Sequence, residues 1–143
     1  MDLLHSGRLA RYRNIRYILA HGGGTVPYLS QRIVDGLHMR GTPTLGESSP
    51  DLRDPDASAE HLALLKRLYY DTAAPGDSHL AALQAFAGPP NIVFGTDGGW
   101  SNAIQTNTSI KALLSYEGFN DGDLLAIERS NATTLFPQLQ TNG

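Results

Sequence analysis

The sequence contains no cysteine among its 143 residues. Disulfides, cysteine nucleophiles and thiolate zinc sites are therefore excluded, and any metal must be held by His, Asp, Glu or water. A basic surplus is also missing, because 11 Lys and Arg stand against 14 Asp and Glu, for a formal net charge of −3. A chain with this balance has little cationic surface to neutralise a phosphate backbone, so we expect no nucleic-acid partner.

Long apolar runs are missing as well. No run approaches the roughly 18 residues of a membrane span, and the N-terminal residues have neither the apolar segment nor the cleavage site of a signal peptide. We therefore expect no membrane insertion and a cytoplasmic location. The 15 Gly and 8 Pro are too few for a low-complexity chain, and 41 % apolar residues suffice for a folded core. The length predicts one domain over residues 1–143.

Short apolar runs alternate with segments of helical periodicity. Strand-length runs rich in apolar residues predict three strands, at residues 15–20, 68–70 and 91–96. The first has the pattern of a strand buried on both faces, and the third is also predicted to be buried. Helices are predicted near the N-terminus, from Pro27, from Ser58, after a cap at Asp77 or Ser78, around Ile110, and from Leu124 to Leu135. The apolar stripe predicted for the helix after Pro27 consists of Tyr28, Leu29, Ile33 and Leu37. Residues 40–56 have little apolar content and predict a surface excursion. The alternation of strands and helices predicts parallel βαβ units.

A polar residue follows each predicted strand. These residues are His21, Asp71 and Asp97. Because the carboxyl ends of parallel strands meet at one edge of a sheet, where α/β proteins place their chemistry, the three residues form the first candidate functional site.

His21 opens the string HGGGTVP between the first strand and the next helix. Glycines in such a turn could offer bare N–H groups to a phosphate, but the spacing matches neither G-x-G-x-x-G nor a Walker loop. The histidine could also be an ordinary hydrogen-bonded core residue. Three adjacent glycines would leave its imidazole uncovered, which favours a catalytic acid or base.

Asp97 follows an apolar strand in the string FGTDGGW. An ionised carboxylate there is costly unless it is paired, hydrogen-bonded or bound to a metal, although it could also simply cap the next helix. Asp71, in YYDTA, has the same alternatives. Trp100 could line a ring-binding pocket or serve packing. Arg32, on the helix after the glycines, would ordinarily face solvent.

Four strings carry a family resemblance, in this order along the chain: IRYILAHGGGTVPYLSQRI, LYYDTA, NIVFGTD and IERSNATTLFP. They resemble the aminocarboxymuconate-semialdehyde decarboxylase-like branch of the amidohydrolase superfamily, and within it the aromatic-acid decarboxylases of the 6-methylsalicylate type. The resemblance covers nearly the whole chain except residues 40–56. The sequence departs from the family at Gly98 and Gly99, where an aromatic residue and a proline usually follow the aspartate.

The resemblance implies a (β/α)8 barrel with a divalent metal, usually zinc and sometimes manganese. In this family a His-x-His pair on the first strand, a His on the fifth and an Asp on the eighth hold the metal. Here only the last appears, as Asp97. Since a whole barrel takes about 250 residues, we expect residues 1–143 to form a partial amidohydrolase-related domain, the C-terminal half of such a barrel with its sixth to eighth strands.

The resemblance also implies the chemistry, which is non-oxidative decarboxylation of a small aromatic acid of the 2-hydroxybenzoate type. Asp97 would bind the metal and exchange a proton, and His21 would be the neighbouring general acid or base. Arg32 would hold the substrate carboxylate, in some family members across a dimer interface, and Trp100 would contact the ring. The expected partners are therefore the aromatic acid and, in a homodimer, a second copy of the chain.

Two other functions stay open at this point. The chain could be part of a hydrolase of the same superfamily, acting through metal-bound hydroxide with the same Asp and His. It could also be a non-catalytic fragment that needs another chain, because half a barrel has exposed strand edges. In each case we expect the 143-residue chain alone to be inactive.

Overall fold

A computed structural model describes residues 2–39, 55–73 and 76–140. The helices in these ranges are α1 (Asp2–His5), α2 (Arg8–Arg11), α3 (Val26–Met39), α4 (Pro55–Lys66), α5 (Asp77–Ala87), α6 (Ala103–Ser115), α7 (Asp121–Leu125) and α8 (Asn131–Leu135). The strands are β1 (Ile18–Leu19), β2 (Tyr69–Asp71) and β3 (Ile92–Val93). Single 3₁₀ turns lie at His21–Gly23, Pro89–Asn91 and Pro137–Leu139, and a π turn at Ala126–Ser130 joins α7 to α8.

The three strands form one parallel sheet in the order β1-β2-β3. Ile18 pairs with Tyr69, and Tyr70 pairs with Ile92. Each strand is followed by helical segments, so the predicted parallel α/β architecture is confirmed. Because the strands are parallel, His21, Asp71 and Asp97 lie at the same end of the sheet, as expected.

The strands are shorter than predicted. Ile15, Ile18 and Phe94 are 45 %, 42 % and 41 % exposed. The prediction that the first strand is buried on both faces was wrong, because β1 is an edge of this sheet. Ile92 and Val93 of β3 are both buried, so the third strand is buried as predicted up to Phe94. The backbone of β3 is continued at Phe94, whose N–H donates to the carbonyl of Ile127 in the π turn at 2.9 Å.

The paired strand residues Tyr70 and Ile92 belong to the core. Both are fully buried. The Tyr70 hydroxyl donates to the Leu65 carbonyl at 2.8 Å, and its ring meets the Phe86 ring edge-on with centroids 6.1 Å apart. Each buried aliphatic side chain contributes roughly 1.5–3 kcal/mol, and the core also includes Leu4, Leu9, Val26, Val34, Leu64, Leu68, Leu80, Leu83, Leu113, Phe119 and Ile127.

Helix α3 begins as predicted, with Pro27 in its first turn, where a missing N–H costs nothing. Its predicted apolar stripe was wrong in part. Tyr28 is 82 % exposed, and the buried positions are Val26 and Val34. The side chain of Leu37, also assigned to that stripe, lies outside the described residues. The helix packs against α4 and α5, with Val26 and Val34 in the core.

Other boundaries differ from the sequence expectations. The N-terminal helix is divided into α1 and α2 around Gly7, whose φ of 70° is left-handed. Helix α4 begins at Pro55 rather than Ser58, and α5 has Gly76 at its N-cap position in place of Asp77 or Ser78. The surface excursion predicted for residues 40–56 lies outside the described residues up to position 54. None of the helices in the described ranges is both long and apolar enough to cross a membrane.

Candidate functional site

The turn after β1 positions His21. His21 and the three glycines after it have left-handed φ angles between 53° and 77°. This conformation costs a non-glycine residue about 1–2 kcal/mol, so His21 is held in place by its surroundings. A Cβ at Gly22 would lie 1.9 Å from Nε2 of His79, and one at Gly23 would lie 2.6 Å from the Tyr70 ring. The first two glycines thus permit close packing beneath the turn, while the His21 side chain is 58 % exposed.

The segment after β3 positions Asp97 in the same conformation, with φ 58°. His21 and Asp97 are the two non-glycine residues with positive φ in the described part of the chain. The Asp97 carbonyl accepts from the Ser101 amide at 2.9 Å. Asn102, not Asp97, caps α6, since its side chain accepts from the Gln105 amide at 3.0 Å. The carboxylate of Asp97 is therefore left for another role.

The structure brings the two strained residues together. The His21 Nε2 atom lies 3.7 Å from the Asp97 Oδ2 atom, and the Asp97 side chain is 32 % exposed. This distance is too long for a hydrogen bond and suits an ion pair when the imidazole is protonated. Backbone strain at two facing polar side chains is typical of functional sites. The pair is therefore a candidate centre for proton exchange with a small ligand.

A half-open crevice of about 300 Å³ lies over this pair, near the lower end of the usual range for ligand pockets. The wall opposite the sheet comes from α6 and the turn before it, which sequence reasoning did not single out. The only signal for these residues was that their helix directly follows Asp97. The lining residues are His21, Ala73, Thr96, Asp97, Ser101, Gln105 and Ser109.

Asp71 and His79 lie behind the turn of His21. The Asp71 Oδ1 atom accepts from the amides of Gly22 and Ala73, at 3.0 and 3.1 Å. Burial lowers the pKa of His79, and the charge of Asp71 opposes this shift. Sequence reasoning did not single out His79, because nothing in the local pattern shows which distant residue it meets. Asp71 was considered as a cap or a functional residue, and the structure shows it bonded to backbone.

Arg32 and Trp100 are not part of this constellation. Arg32 is exposed on α3, and Trp100 is 92 % exposed. Neither lines the crevice over His21 and Asp97. The roles assigned to them from the sequence, in binding the substrate carboxylate and the ring, stay predictions.

The donor types at the crevice suit a divalent metal, since Asp97 offers carboxylate oxygen and His21 offers imidazole nitrogen. Their number does not complete a site. Among residues 2–39, 55–73 and 76–140, no three His, Asp or Glu side chains are grouped closely enough to hold an ion. A catalytic zinc ordinarily has three protein ligands, so the described residues supply only part of a donor set.

A parallel sheet with its polar residues gathered at the carboxyl edge is the architecture of α/β barrels and open α/β sheets. No family model matches the chain. The chain is 34 % identical to the 6-methylsalicylic acid decarboxylase of Aspergillus aculeatus and 32 % identical to that of Penicillium expansum. Each of these matches includes 98 % of the present chain. It covers 41 % and 40 % of those proteins, or about two-fifths of their length.

The fold is similar to a solved structure of dihydroxybenzoic acid decarboxylase from a Polaromonas species, which contains manganese and the inhibitor 2-nitroresorcinol. The TM-score is 0.66 with 20 % identity, over 94 % of this chain and 37 % of the other. The two fungal matches confirm the resemblance to aromatic-acid decarboxylases of the 6-methylsalicylate type. The structural similarity confirms the fold class, in which the chain corresponds to part of a barrel.

Proposed function

We propose that this chain supplies one edge of the active site of a metal-dependent, non-oxidative decarboxylase. The observation that carries the proposal is the pair of left-handed residues, His21 and Asp97, with side chains 3.7 Å apart at the carboxyl edge of a parallel sheet. The names of the two fungal relatives support the same reaction. The substrate class is a small aromatic acid of the 2-hydroxybenzoate type, which a crevice of about 300 Å³ suits.

Decarboxylation of such an acid transfers a proton to the ring carbon that bears the carboxylate. The electrons of the bond to the carboxylate then return to the ring, and carbon dioxide leaves. His21 is the general acid or base that exchanges this proton, because an imidazole can both donate and accept near neutral pH. Asp97, 3.7 Å away, stabilises the protonated imidazole and orients it toward the ring.

Asp97 is also the residue of this chain that would hold the metal. A bound divalent ion supplies charge stabilisation and orients the carboxylate and phenolate oxygens of the substrate. Manganese in the Polaromonas structure supports a divalent ion, and the family resemblance includes zinc. The remaining ligands would come from residues other than those grouped around His21.

Arg32 is proposed to bind a substrate carboxylate in a second copy of the chain. Its exposed position on α3, away from its own crevice, supports a role across a homodimer interface. A guanidinium suits this task because it forms two parallel hydrogen bonds with a carboxylate. Trp100, also exposed, is proposed as the ring contact of the assembled site.

The test is a chimera in which this chain replaces the matching segment of the Aspergillus aculeatus decarboxylase. The chimera is loaded with zinc or manganese and offered 6-methylsalicylate and other 2-hydroxybenzoates, with carbon dioxide release as the readout. We expect release that is lost in the Asp97→Asn and His21→Asn variants. A folded, metal-loaded chimera that hydrolyses aryl esters or lactones and releases no carbon dioxide would replace this proposal with the hydrolase alternative.

A further inference from the structure

Two consecutive residues at the end of the central strand, Asp71 and Thr72, form hydrogen bonds to the segments that follow the two neighbouring strands. Asp71, the last residue of β2, accepts the Gly22 N–H at 3.0 Å on the side of β1. Thr72, the next residue, accepts the Gly95 N–H at 3.1 Å and donates to the Gly95 carbonyl at 3.0 Å on the side of β3. One side chain therefore reaches the segment of His21, and the other reaches the segment of Asp97.

Each bond acts close to a residue of the candidate site. The Gly22 N–H belongs to the peptide that directly follows His21, so the Asp71 carboxylate fixes the plane of that peptide. Gly95 precedes Asp97 by two residues, and both of its backbone groups are held by Thr72. The 3.7 Å separation of His21 and Asp97 thus depends on two anchors that neither residue provides.

The packing leaves little freedom for either segment. A Cβ at Gly95 would lie 3.0 Å from the Asp71 Cβ atom. On the other flank, the His79 ring fills the space where Gly22 would carry a Cβ. The Nε2 atom of His79 is buried and has no hydrogen-bond partner among the described residues. The ring therefore supports the turn by its shape rather than by a bond.

We propose that Asp71 and Thr72 are positioning residues that set the geometry of the His21 and Asp97 pair. The catalytic significance of this role rests on the proposed function, whereas the positioning itself is a property of the chain. Asp71 fixes the His21 side and Thr72 fixes the Asp97 side. The two effects are separable, because the two side chains hold different backbone amides.

The test is amide and imidazole NMR on the full 143-residue chain, with no substrate or metal, so it stands apart from any assay of decarboxylation. The variants are Asp71→Ala, Asp71→Asn, Thr72→Val and Thr72→Ser. Asn120→Ala is the control for general destabilisation, because the Asn120 side chain caps α7 and bonds to neither the Gly22 nor the Gly95 segment. The readouts are the chemical shift and hydrogen-exchange protection of Gly22 and Gly95, and the ring resonances of His21.

We expect Asp71→Ala to move the Gly22 amide upfield, to lower its protection at least about tenfold, and to shift the His21 ring resonances, with Gly95 unchanged. Thr72→Val is expected to do the same to Gly95, with Gly22 unchanged. Asp71→Asn and Thr72→Ser keep an acceptor oxygen and are expected to restore most of each signature. If the Ala or Val variant does not fold, the corresponding Asn or Ser variant is compared with Asn120→Ala.

The proposal is overturned if the Gly22 and His21 signals of Asp71→Ala match those of the unmodified chain. It is equally overturned if Asn120→Ala reproduces the changes, or if each variant moves both glycines alike. The proposal is also contradicted if the Gly22 signal of Asp71→Asn, or the Gly95 signal of Thr72→Ser, is as strongly altered as it is in the unfolded chain. A chimera without decarboxylase activity leaves these NMR results unaffected and bears on the proposed function alone.

Discussion

Asn131 ties α8 to the start of β3. Its side-chain Nδ2 donates to the Ile92 carbonyl at 2.6 Å and to the Pro89 carbonyl at 2.8 Å. One side-chain amide thus satisfies two backbone acceptors. This explains a structural part of the late string IERSNATTLFP, in which the asparagine fixes the C-terminal helix to the strand that leads to Asp97.

Replacement of Asn131 by Ala is expected to lower the free energy of unfolding by about 1–3 kcal/mol, because it leaves two half-buried carbonyls without a donor. Urea denaturation followed by circular dichroism measures the change. The matched control is Asn107→Ala, which removes the same side chain from an exposed position on α6. Equal stability changes in the two variants would contradict the role given to Asn131.

Gly22→Ala is expected to destabilise the chain far more than Gly7→Ala. Both glycines are in the left-handed helical region, with φ 57° and ψ 23° at Gly22 and φ 70° and ψ 6° at Gly7, but a Cβ at Gly22 meets His79 while one at Gly7 meets nothing within 4 Å. The conformational cost of about 1 kcal/mol or more is common to both variants. Thermal unfolding measures the difference, which isolates the clash. The double variant Gly22→Ala with His79→Ala should recover part of the loss, and no recovery would argue against the contact.

Stability should fall as the pH drops below about 6.5, the ordinary value for histidine. The pKa of His79 is lowered by burial, so the folded chain binds fewer protons than the unfolded chain between the lowered value and 6.5. The free energy of unfolding therefore decreases with acidity across that window. Asp71 faces the ring and opposes the shift. His79→Leu should flatten this part of the stability profile, measured by urea unfolding at several pH values. An unchanged slope would refute the assignment.

In the active chimera, Asp97→Ala should abolish turnover, whereas Arg32→Ala should mainly raise KM. The first change removes the metal-binding carboxylate, and the second removes a charged partner of the substrate carboxylate. Steady-state kinetics with 6-methylsalicylate separates the two effects. The exposed Arg129 provides a control, since Arg129→Ala also removes a surface guanidinium. Small and equal effects of Asp97→Ala and Arg32→Ala would mean that the site residues are wrongly assigned.

The 143-residue chain alone should bind zinc weakly and release no carbon dioxide from 2-hydroxybenzoates. Its described residues bring together one carboxylate and one imidazole, and a catalytic zinc ordinarily has three protein ligands. Calorimetric titration with zinc, alongside the decarboxylation assay, measures both properties. Stoichiometric binding at micromolar affinity together with measurable release would show that this chain builds a complete site by itself.

The sheet and the meeting of His21 with Asp97 were accessible from sequence, because apolar runs are local signals and parallel strands share one carboxyl edge. The support beneath them was not. The contact of Gly22 with Asp71 and His79 joins residues far apart in the chain, and no local periodicity encodes it. Exposure of Tyr28 and Phe94 was missed for a related reason, because apolar residue type does not show which face of an element a neighbour covers.

The π turn at Ala126–Ser130 makes the path of β3 insensitive to side-chain replacement. The acceptor that holds Phe94 is the main-chain carbonyl of Ile127, which every amino acid at that position would also offer. Substitutions at the exposed positions 128–130 of this turn can therefore accumulate while the strand keeps its direction toward Asp97. A one-residue deletion would act differently, because it would convert the wide turn into a regular helical one and rotate that carbonyl away from the strand. Apart from the buried Ile127, this segment should accordingly tolerate exchange of residues but not a change of length.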